Sequence, residues 1–134
     1  MLNHIMCRNR DLMAAVRAEM AARGSETFEL NEVMEKVVNS PAPYYYVSYD
    51  YALKRVRQAM HGKLPSGMAE IRRRQWEEIA GKVTKLMEVS GLKLSEALTR
   101  VIMFESASSF FITAARGVDL YHEYRRRART RMAA

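Results

Sequence analysis

The sequence predicts a mostly α-helical protein of five to six helices with two short strands, organised as an internal pseudo-twofold repeat. Apolar residues recur at the three- and four-residue spacing of one helical face along most of the chain. The 6 glycines and 3 prolines fall mainly where these stretches stop. Two segments of aromatic and β-branched residues, 44–47 and 109–112, are typical of strands.

Three helices are predicted in the first half of the chain, over residues 8–23, 30–38 and 48–61. Gly24 favours the end of the first helix, and Ser48 is a suitable N-cap for the third. Between the second and third helices, Pro41 and Pro43 exclude helix and favour extended backbone. The first predicted strand, residues 44–47, follows directly.

The second half of the chain repeats this order of elements. Ser66 is the predicted N-cap of a long helix that ends near Gly91. Trp76 lies on the apolar face of this helix, so we expect it to be buried. Ser95 and Thr113 are the predicted N-caps of two further helices, and the second strand lies between those helices.

An internal repeat emerges when the two halves are aligned. Residues 30–38 match residues 94–102 in the positions of Leu, Glu and Val, and residues 42–48 match residues 107–113 in their small, aromatic and hydroxyl positions. Two strands this short are unstable alone, so we expect them to pair antiparallel about a pseudo-twofold axis. The prediction is one domain, residues 1–134, made of two helix–helix–strand–helix units, about 8–63 and 67–131.

The chain is basic, and its charge is unevenly distributed. The 22 Lys and Arg residues against 15 Asp and Glu residues give a net charge of +7. Residues 1–66 carry +2 and residues 67–134 carry +5. Residues 72–74 are three consecutive arginines, and residues 124–134 hold five arginines and no acidic residue. Clusters of this kind are either phosphate-binding surfaces or solvated helix faces.

No sequence pattern typical of an enzyme is present. The chain has no G-x-x-x-x-G-K-[ST] or G-x-G-x-x-G segment for nucleotide phosphates and no G-x-S-x-G nucleophile. Its 1 cysteine and 3 histidines lack the spacing of a zinc site. We therefore expect no catalytic activity, no metal and no cofactor.

The apolar residues are distributed as in a protein that does not enter a membrane. No stretch approaches about 18 apolar residues without a charge, so no segment is expected to span a bilayer. The apolar residues at the N-terminus are too few for a signal peptide, and a single cysteine fits a reducing compartment. We expect the protein to be cytoplasmic.

Two functions remain open at this point. One is a nucleic-acid-binding accessory protein for DNA or RNA, in which variant helix-turn-helix units place a basic second helix against phosphates. The other is a non-catalytic helical module that binds an acidic protein partner or associates with itself. The residues predicted to contact nucleic acid are Lys54, Arg55, Arg57 and Gln58 in the first unit and Arg72, Arg73, Arg74, Arg116, Arg125, Arg126, Arg127 and Arg129 in the second.

A resemblance to known proteins is carried by one short segment. Pro41-Ala42-Pro43-Tyr44-Tyr45-Tyr46-Val47-Ser48, followed by an amphipathic basic helix, resembles a motif of small uncharacterised bacterial proteins of mobile-element or phage type. The resemblance covers roughly residues 28–62. It implies a recurring structural unit, and it implies no activity, cofactor or catalytic residue.

Overall fold

The fold is mostly helical, as predicted. A computed structural model describes residues 3–133. Its helices are α1 (His4–Arg23), α2 (Leu30–Val38), α3 (Tyr49–Met60), α4 (Glu70–Ser90), α5 (Leu94–Phe104) and α6 (Ala114–Ala133). None of these helices combines the length and the apolar character that a bilayer-spanning segment needs.

Several helix ends follow their predicted local signals. Gly24 and Gly91 end α1 and α4 with φ angles of 63° and 66°, values that glycine adopts without steric cost. At the start of α6, the Thr113 hydroxyl accepts a hydrogen bond of 3.1 Å from the backbone N–H of residue 116. Glycine and a hydroxyl cap therefore act here as the sequence indicates.

Two predicted N-caps are wrong. Ser66 lies in a turn closed by a 3.1 Å hydrogen bond from the N–H of residue 68 to the carbonyl of Pro65, and α4 begins only at residue 70. Ser95 lies inside α5, because Lys93 is the N-cap and its N–H donates to the Glu96 carboxylate at 3.2 Å. A capping carboxylate three residues inside the helix replaces the expected serine.

The two predicted strands are wrong as well. Residues 44–47 and 109–112 form neither strand nor helix in the described chain. Tyr46 and Phe111 have φ angles of 59° and 52°, in the left-handed region, whereas a strand requires strongly negative φ. One such residue in the middle of a four-residue segment interrupts any ladder of backbone hydrogen bonds.

The β-pairing in residues 3–133 consists of a single antiparallel bridge between Ala42 and Ala107. Each N–H donates to the carbonyl of the other residue, at 3.0 Å and 2.9 Å. Both alanines are buried. Instead of pairing between two strands, one reciprocal pair of hydrogen bonds joins the residues that lie just before the two predicted segments.

The helices pack into two compact units. Unit 1 comprises the described residues up to 41 and from 108 onward, and it packs α1, α2 and α6 together. Unit 2 comprises residues 42–107 and packs α3, α4 and α5 together. Each unit therefore takes two consecutive helices from one half of the chain and its third helix from the other half. The single domain of residues 1–134 stays a prediction.

Close contact between α2 and α6 in unit 1 depends on a glycine. Gly117 of α6 is buried against Met34 of α2, whose side chain is fully buried. A Cβ atom added at residue 117 would lie 2.5 Å from the Met34 sulfur and 2.7 Å from its Cγ. Only a residue without a side chain permits the two helices to approach so closely.

Gly117→Ala is therefore expected to destabilise the protein by about 1–3 kcal/mol, because the fully buried Met34 side chain must shift within the core to accommodate the added methyl group. Gly81→Ala is the matched control, since Gly81 is an exposed helical glycine with nothing near an added Cβ atom. It should stabilise by about 0.5–1 kcal/mol through helix propensity. Urea denaturation of both variants measures their free energies of unfolding. A change of the same sign in both would contradict the close approach of α6 to Met34 at Gly117.

Unit 2 has a buried polar cluster around Tyr45. The side-chain amide of Gln75, the buried polar residue of α4, donates to the Tyr45 carbonyl at 3.1 Å. The Tyr45 hydroxyl donates to the Glu78 carboxylate at 2.6 Å, and the Lys82 ammonium lies 5.1 Å from the centre of the Tyr45 ring. These contacts attach the irregular segment before α3 to the side of α4.

Burial of Tyr45, together with its hydrogen bond to the Glu78 carboxylate, raises the pKa of the hydroxyl well above the ordinary value of 10.0. The folded state thus retains this proton at pH values where the unfolded chain loses it. The contribution to stability is complete below pH 10.0 and declines as pH rises above it. We expect the free energy of unfolding, measured by urea denaturation between pH 8 and 11, to fall less steeply with rising pH for Tyr45→Phe than for the wild type. The same pH dependence in both proteins would contradict the assignment of this effect to the Tyr45 hydroxyl.

Candidate nucleic-acid interface

The last turns of α6 form an exposed run of arginines, which we call the arginine tail: Arg125, Arg126, Arg127, Arg129 and Arg131. After Tyr124 no large apolar residue follows until Met132, which is itself 87% exposed. Arginine and alanine are good helix formers, so the helix continues here although no core face requires it. The tail therefore carries guanidinium groups on several sides of the helix.

Two arginines of the tail make contacts within their own helix. Arg125 donates to the Tyr121 hydroxyl at 3.1 Å, and its guanidinium lies 5.8 Å from the centre of that ring. Arg127 donates to the Glu123 carboxylate at 3.3 Å in an exposed pair that contributes little stability. Within residues 3–133, the remaining three guanidinium groups have neither a hydrogen bond nor an ion pair, so they are available to an anionic ligand.

A groove runs between α1 and the C-terminal half of α6, within unit 1. Its volume is about 460 Å³. We call it the α1–α6 groove, and its lining residues are Met13, Arg17, Tyr121, Tyr124, Arg125, Ala128, Arg129, Arg131 and Met132. This lining contains four arginines and no acidic residue.

The groove follows from the spacing of residues on the two helices. Met13 and Arg17 lie four residues apart on α1, and Tyr121, Tyr124 and Ala128 follow the three- and four-residue spacing of one α6 face. The Tyr121 hydroxyl approaches the Met20 sulfur at 4.0 Å. Both tyrosines remain partly exposed, so their rings border the groove.

A groove between α3 and α4 in unit 2 differs in charge. It has a volume of about 350 Å³, and its charged lining residues are Glu77, Lys85 and Glu88. Two carboxylates against one ammonium make this surface unfavourable for a polyanion. The accumulation of positive charge in the α1–α6 groove is therefore a local property of unit 1.

The predicted contact residues on α3 have mixed surroundings. Lys54 and Arg57 are exposed. Arg55 donates to the Gln58 side chain at 2.9 Å and lies 5.1 Å from the centre of the Tyr51 ring. The structure thus brings Arg55 and Gln58 together with an aromatic ring, as a local cluster on α3.

The three arginines at the start of α4 differ from one another. Arg72 is half-buried and donates to the Gln75 side chain, and burial lowers the pKa of its guanidinium. Arg73 donates to the Pro65 carbonyl at 2.6 Å, which attaches the preceding loop to α4. Arg74 is exposed. Arg72 and Arg73 therefore have hydrogen-bond partners within the protein, so each has a structural role.

The two helices of each predicted helix-turn-helix belong to different compact units. α2 packs in unit 1 and α3 in unit 2, and α5 and α6 are likewise assigned to different units. Arg116 is exposed on the first turn of α6 and lies apart in sequence from the arginine tail. The basic residues are thus grouped by helix and unit rather than by the predicted motif.

The sequence-based prediction missed part of the groove. Arg17, Tyr121 and Tyr124 line the groove but are not among the contact residues that the sequence predicts. The position of Arg17 four residues after Met13 does place it beside the apolar face of α1. What the sequence does not contain is the antiparallel neighbour on α6, more than one hundred residues later.

No three metal-binding side chains of His, Cys, Asp or Glu converge within the described part of the chain. No protein-family model, curated protein or solved structure matches this chain, and the resemblance of residues 41–48 to mobile-element or phage-type proteins stays a prediction.

Proposed function

We propose that this protein is a small basic nucleic-acid-binding accessory protein whose main contact is the arginine tail. The observation that carries the proposal is the accumulation of five exposed arginines on the last turns of α6, where no core face holds the helix. Guanidinium groups bind phosphate oxygens in a bidentate geometry, and they remain charged at any physiological pH.

The requirements of folding supply little reason for this tail. Neighbouring arginines repel one another, and a helix C-terminus attracts cations by only about 0.3–1 kcal/mol. The one carboxylate paired with the tail is that of Glu123, among the described residues. A polyanionic ligand would neutralise the remaining charges and release the counterions condensed on its phosphates.

A fluorescence-anisotropy titration of the full chain tests the proposal, with duplex DNA, single-stranded DNA and single-stranded RNA at several salt concentrations. Affinity should fall steeply with salt, with a log–log slope of about −0.9 per phosphate contact on duplex DNA and about −0.7 on single strands. Absence of binding to all three probes at low salt would refute it, as would binding that salt leaves unchanged.

Self-association or protein binding through unit 2 is a second candidate. It is favoured by Met103 and Phe104, which are 56% and 76% exposed at the end of α5. Large apolar side chains exposed side by side are more frequent at interfaces than elsewhere on a protein surface. Sedimentation equilibrium of the wild type and of Phe104→Ser tests it, and a wild type that stays monomeric at all concentrations would exclude self-association.

We also propose the internal repeat and a cytoplasmic location. The bridge joins Ala42 to Ala107, and the positive φ angles occur at Tyr46 and Phe111. In the alignment of residues 42–48 with residues 107–113, the two members of each pair occupy equivalent positions. Each unit also combines helices in an equivalent way, with α1, α2 and α6 corresponding to α4, α5 and α3. The single cysteine supports a reducing compartment.

A further inference from the structure

We infer that the α1–α6 groove binds single-stranded nucleic acid, with bases against its tyrosines and phosphates against its arginines. This inference rests on the proposed function and narrows it to one class of nucleic acid. It adds three residues outside the arginine tail to the binding surface, namely Arg17 for a phosphate and Tyr121 and Tyr124 for bases.

The apolar part of the lining suits unpaired bases. Tyr121 and Tyr124 are partly exposed, and Met13 and Met132 lie beside them in the same groove. Every base has two flat faces that stack on aromatic rings whatever its identity. Ala128, between the tyrosines and Met132 along α6, leaves the middle of the groove open because its side chain is small.

The charged part of the lining suits a phosphate backbone that follows the groove. α1 contributes Arg17, and α6 contributes Arg125, Arg129 and Arg131. Arg17 and Arg129 are exposed, whereas Arg125 also lies over the Tyr121 ring at 5.8 Å. A basic groove that also presents aromatic rings is the combination with which proteins bind single strands, because the guanidinium groups follow the phosphates and the rings stack on the bases.

A duplex matches the groove less well. Its base faces are stacked inside the helix, so it would leave the two tyrosine rings and the exposed Met132 side chain without a ligand surface. An acidic amphipathic helix is the competing occupant, and the experiment includes it.

The experiment measures anisotropy of three fluorescent probes with the full chain at low salt. The probes are an oligothymidine of about 20 nucleotides, longer than the about 4–16 nucleotides that one single-strand-binding fold covers, a duplex of equal length, and a helical peptide of Glu, Leu and Ala. We expect the single strand to bind at least about tenfold more tightly than the duplex.

Two pairs of variants test the groove itself. Arg17→Ser should weaken single-strand binding at least about fivefold and reduce the salt slope by about 0.7, because one phosphate contact is lost. Arg10→Ser is its control, since Arg10 is exposed on the same helix, outside the groove, beside Asp11. Tyr124→Leu should weaken binding at least about fivefold through lost stacking, whereas Tyr44→Leu, which removes a 49% exposed ring of unit 2, should not.

The results distinguish failure of this inference from failure of the proposed function. The inference would be overturned if the duplex bound as tightly as the single strand, and if each groove variant bound the single strand as tightly as its control (Arg17→Ser as Arg10→Ser, Tyr124→Leu as Tyr44→Leu). Nucleic-acid binding itself would then remain in place. Binding of the acidic peptide without binding of either nucleic acid would overturn both. Circular dichroism of each variant confirms that its helices are intact. A variant that unfolds is replaced by Arg17→Gln, which also removes the charge, or by Tyr124→Met, which also removes the aromatic ring.

Discussion

Replacement of Trp76 by alanine is expected to lower the free energy of unfolding by about 3–5 kcal/mol. Trp76 is 2% exposed on α4, where its ring meets the Tyr51 ring edge to face at 5.6 Å. The substitution removes the largest side chain of the unit 2 core and leaves a cavity between α3 and α4. A domain of this size is typically stable by about 5–15 kcal/mol, so the loss is a large part of the total.

Guanidinium denaturation followed by circular dichroism measures this effect. Trp76→Phe is the matched control, because it keeps an aromatic ring against Tyr51 and should cost clearly less. Trp76 is the chain's only tryptophan, so the emission spectrum of the native protein reports on this site alone. Emission typical of hydrated indole, or a loss below about 1 kcal/mol on substitution by alanine, would contradict the buried placement.

Truncation after Tyr124 is the second change with a large expected effect, and it acts on binding rather than on folding. Residues 125–132 are exposed, and the side-chain contacts of Arg125 with Tyr121 and of Arg127 with Glu123 and Tyr124 all lie within α6. We therefore expect the thermal midpoint to stay within a few degrees. Affinity for nucleic acid at low salt should fall at least about tenfold, because five possible phosphate contacts are lost.

Scanning calorimetry and the anisotropy titration measure the two halves of this prediction. A truncated protein that binds as well as the full chain would show that the tail serves only solubility, and the self-association or protein-binding candidate would then be favoured. A truncated protein that no longer folds would show that the tail packs against α1 more tightly than its exposure indicates. Arg10→Ser, which removes one exposed charge outside the arginine tail, is the control for nonspecific loss of charge.

The helices could be predicted from the sequence because local signals decide them. The apolar spacing around Leu12 and Val16, the end of α1 at Gly24 and the cap at Thr113 all act within a few residues. Trp76 was correctly predicted to be buried for the same reason. Local signals of this kind predict the presence of the helices correctly, but they place the N-caps of α4 and α5 wrongly at Ser66 and Ser95.

The strands could not be predicted, because contacts distant in the sequence decide the backbone there. The N–H of Phe110 donates to the Val38 carbonyl at the end of α2, at 3.0 Å, and Tyr45 is attached to Gln75 of α4. These contacts are compatible with left-handed φ angles at Tyr46 and Phe111 and incompatible with a strand. Aromatic and β-branched composition shows only that such residues fit a half-buried surface.

The candidate site was predicted in part, for a related reason. The arginine tail is contiguous in sequence and therefore evident, but the groove requires α1 beside α6. Arg72 belongs to an equally evident run, yet its guanidinium is half-buried against Gln75. A cluster of charges in the sequence thus indicates composition, and only the packing decides which of its members reach a ligand.

The division of helices between the units has a consequence for synthesis on the ribosome. Unit 2 is continuous in sequence, whereas unit 1 needs α6, the last helix to emerge. The residues between α2 and α6 take about 4–15 s to translate at about 5–20 residues per second. During that time the apolar face of α2, with Val33 and Met34, has no partner from α6. Unit 2 therefore becomes complete first, so the nascent chain finishes its units in the reverse of the order in which it begins them.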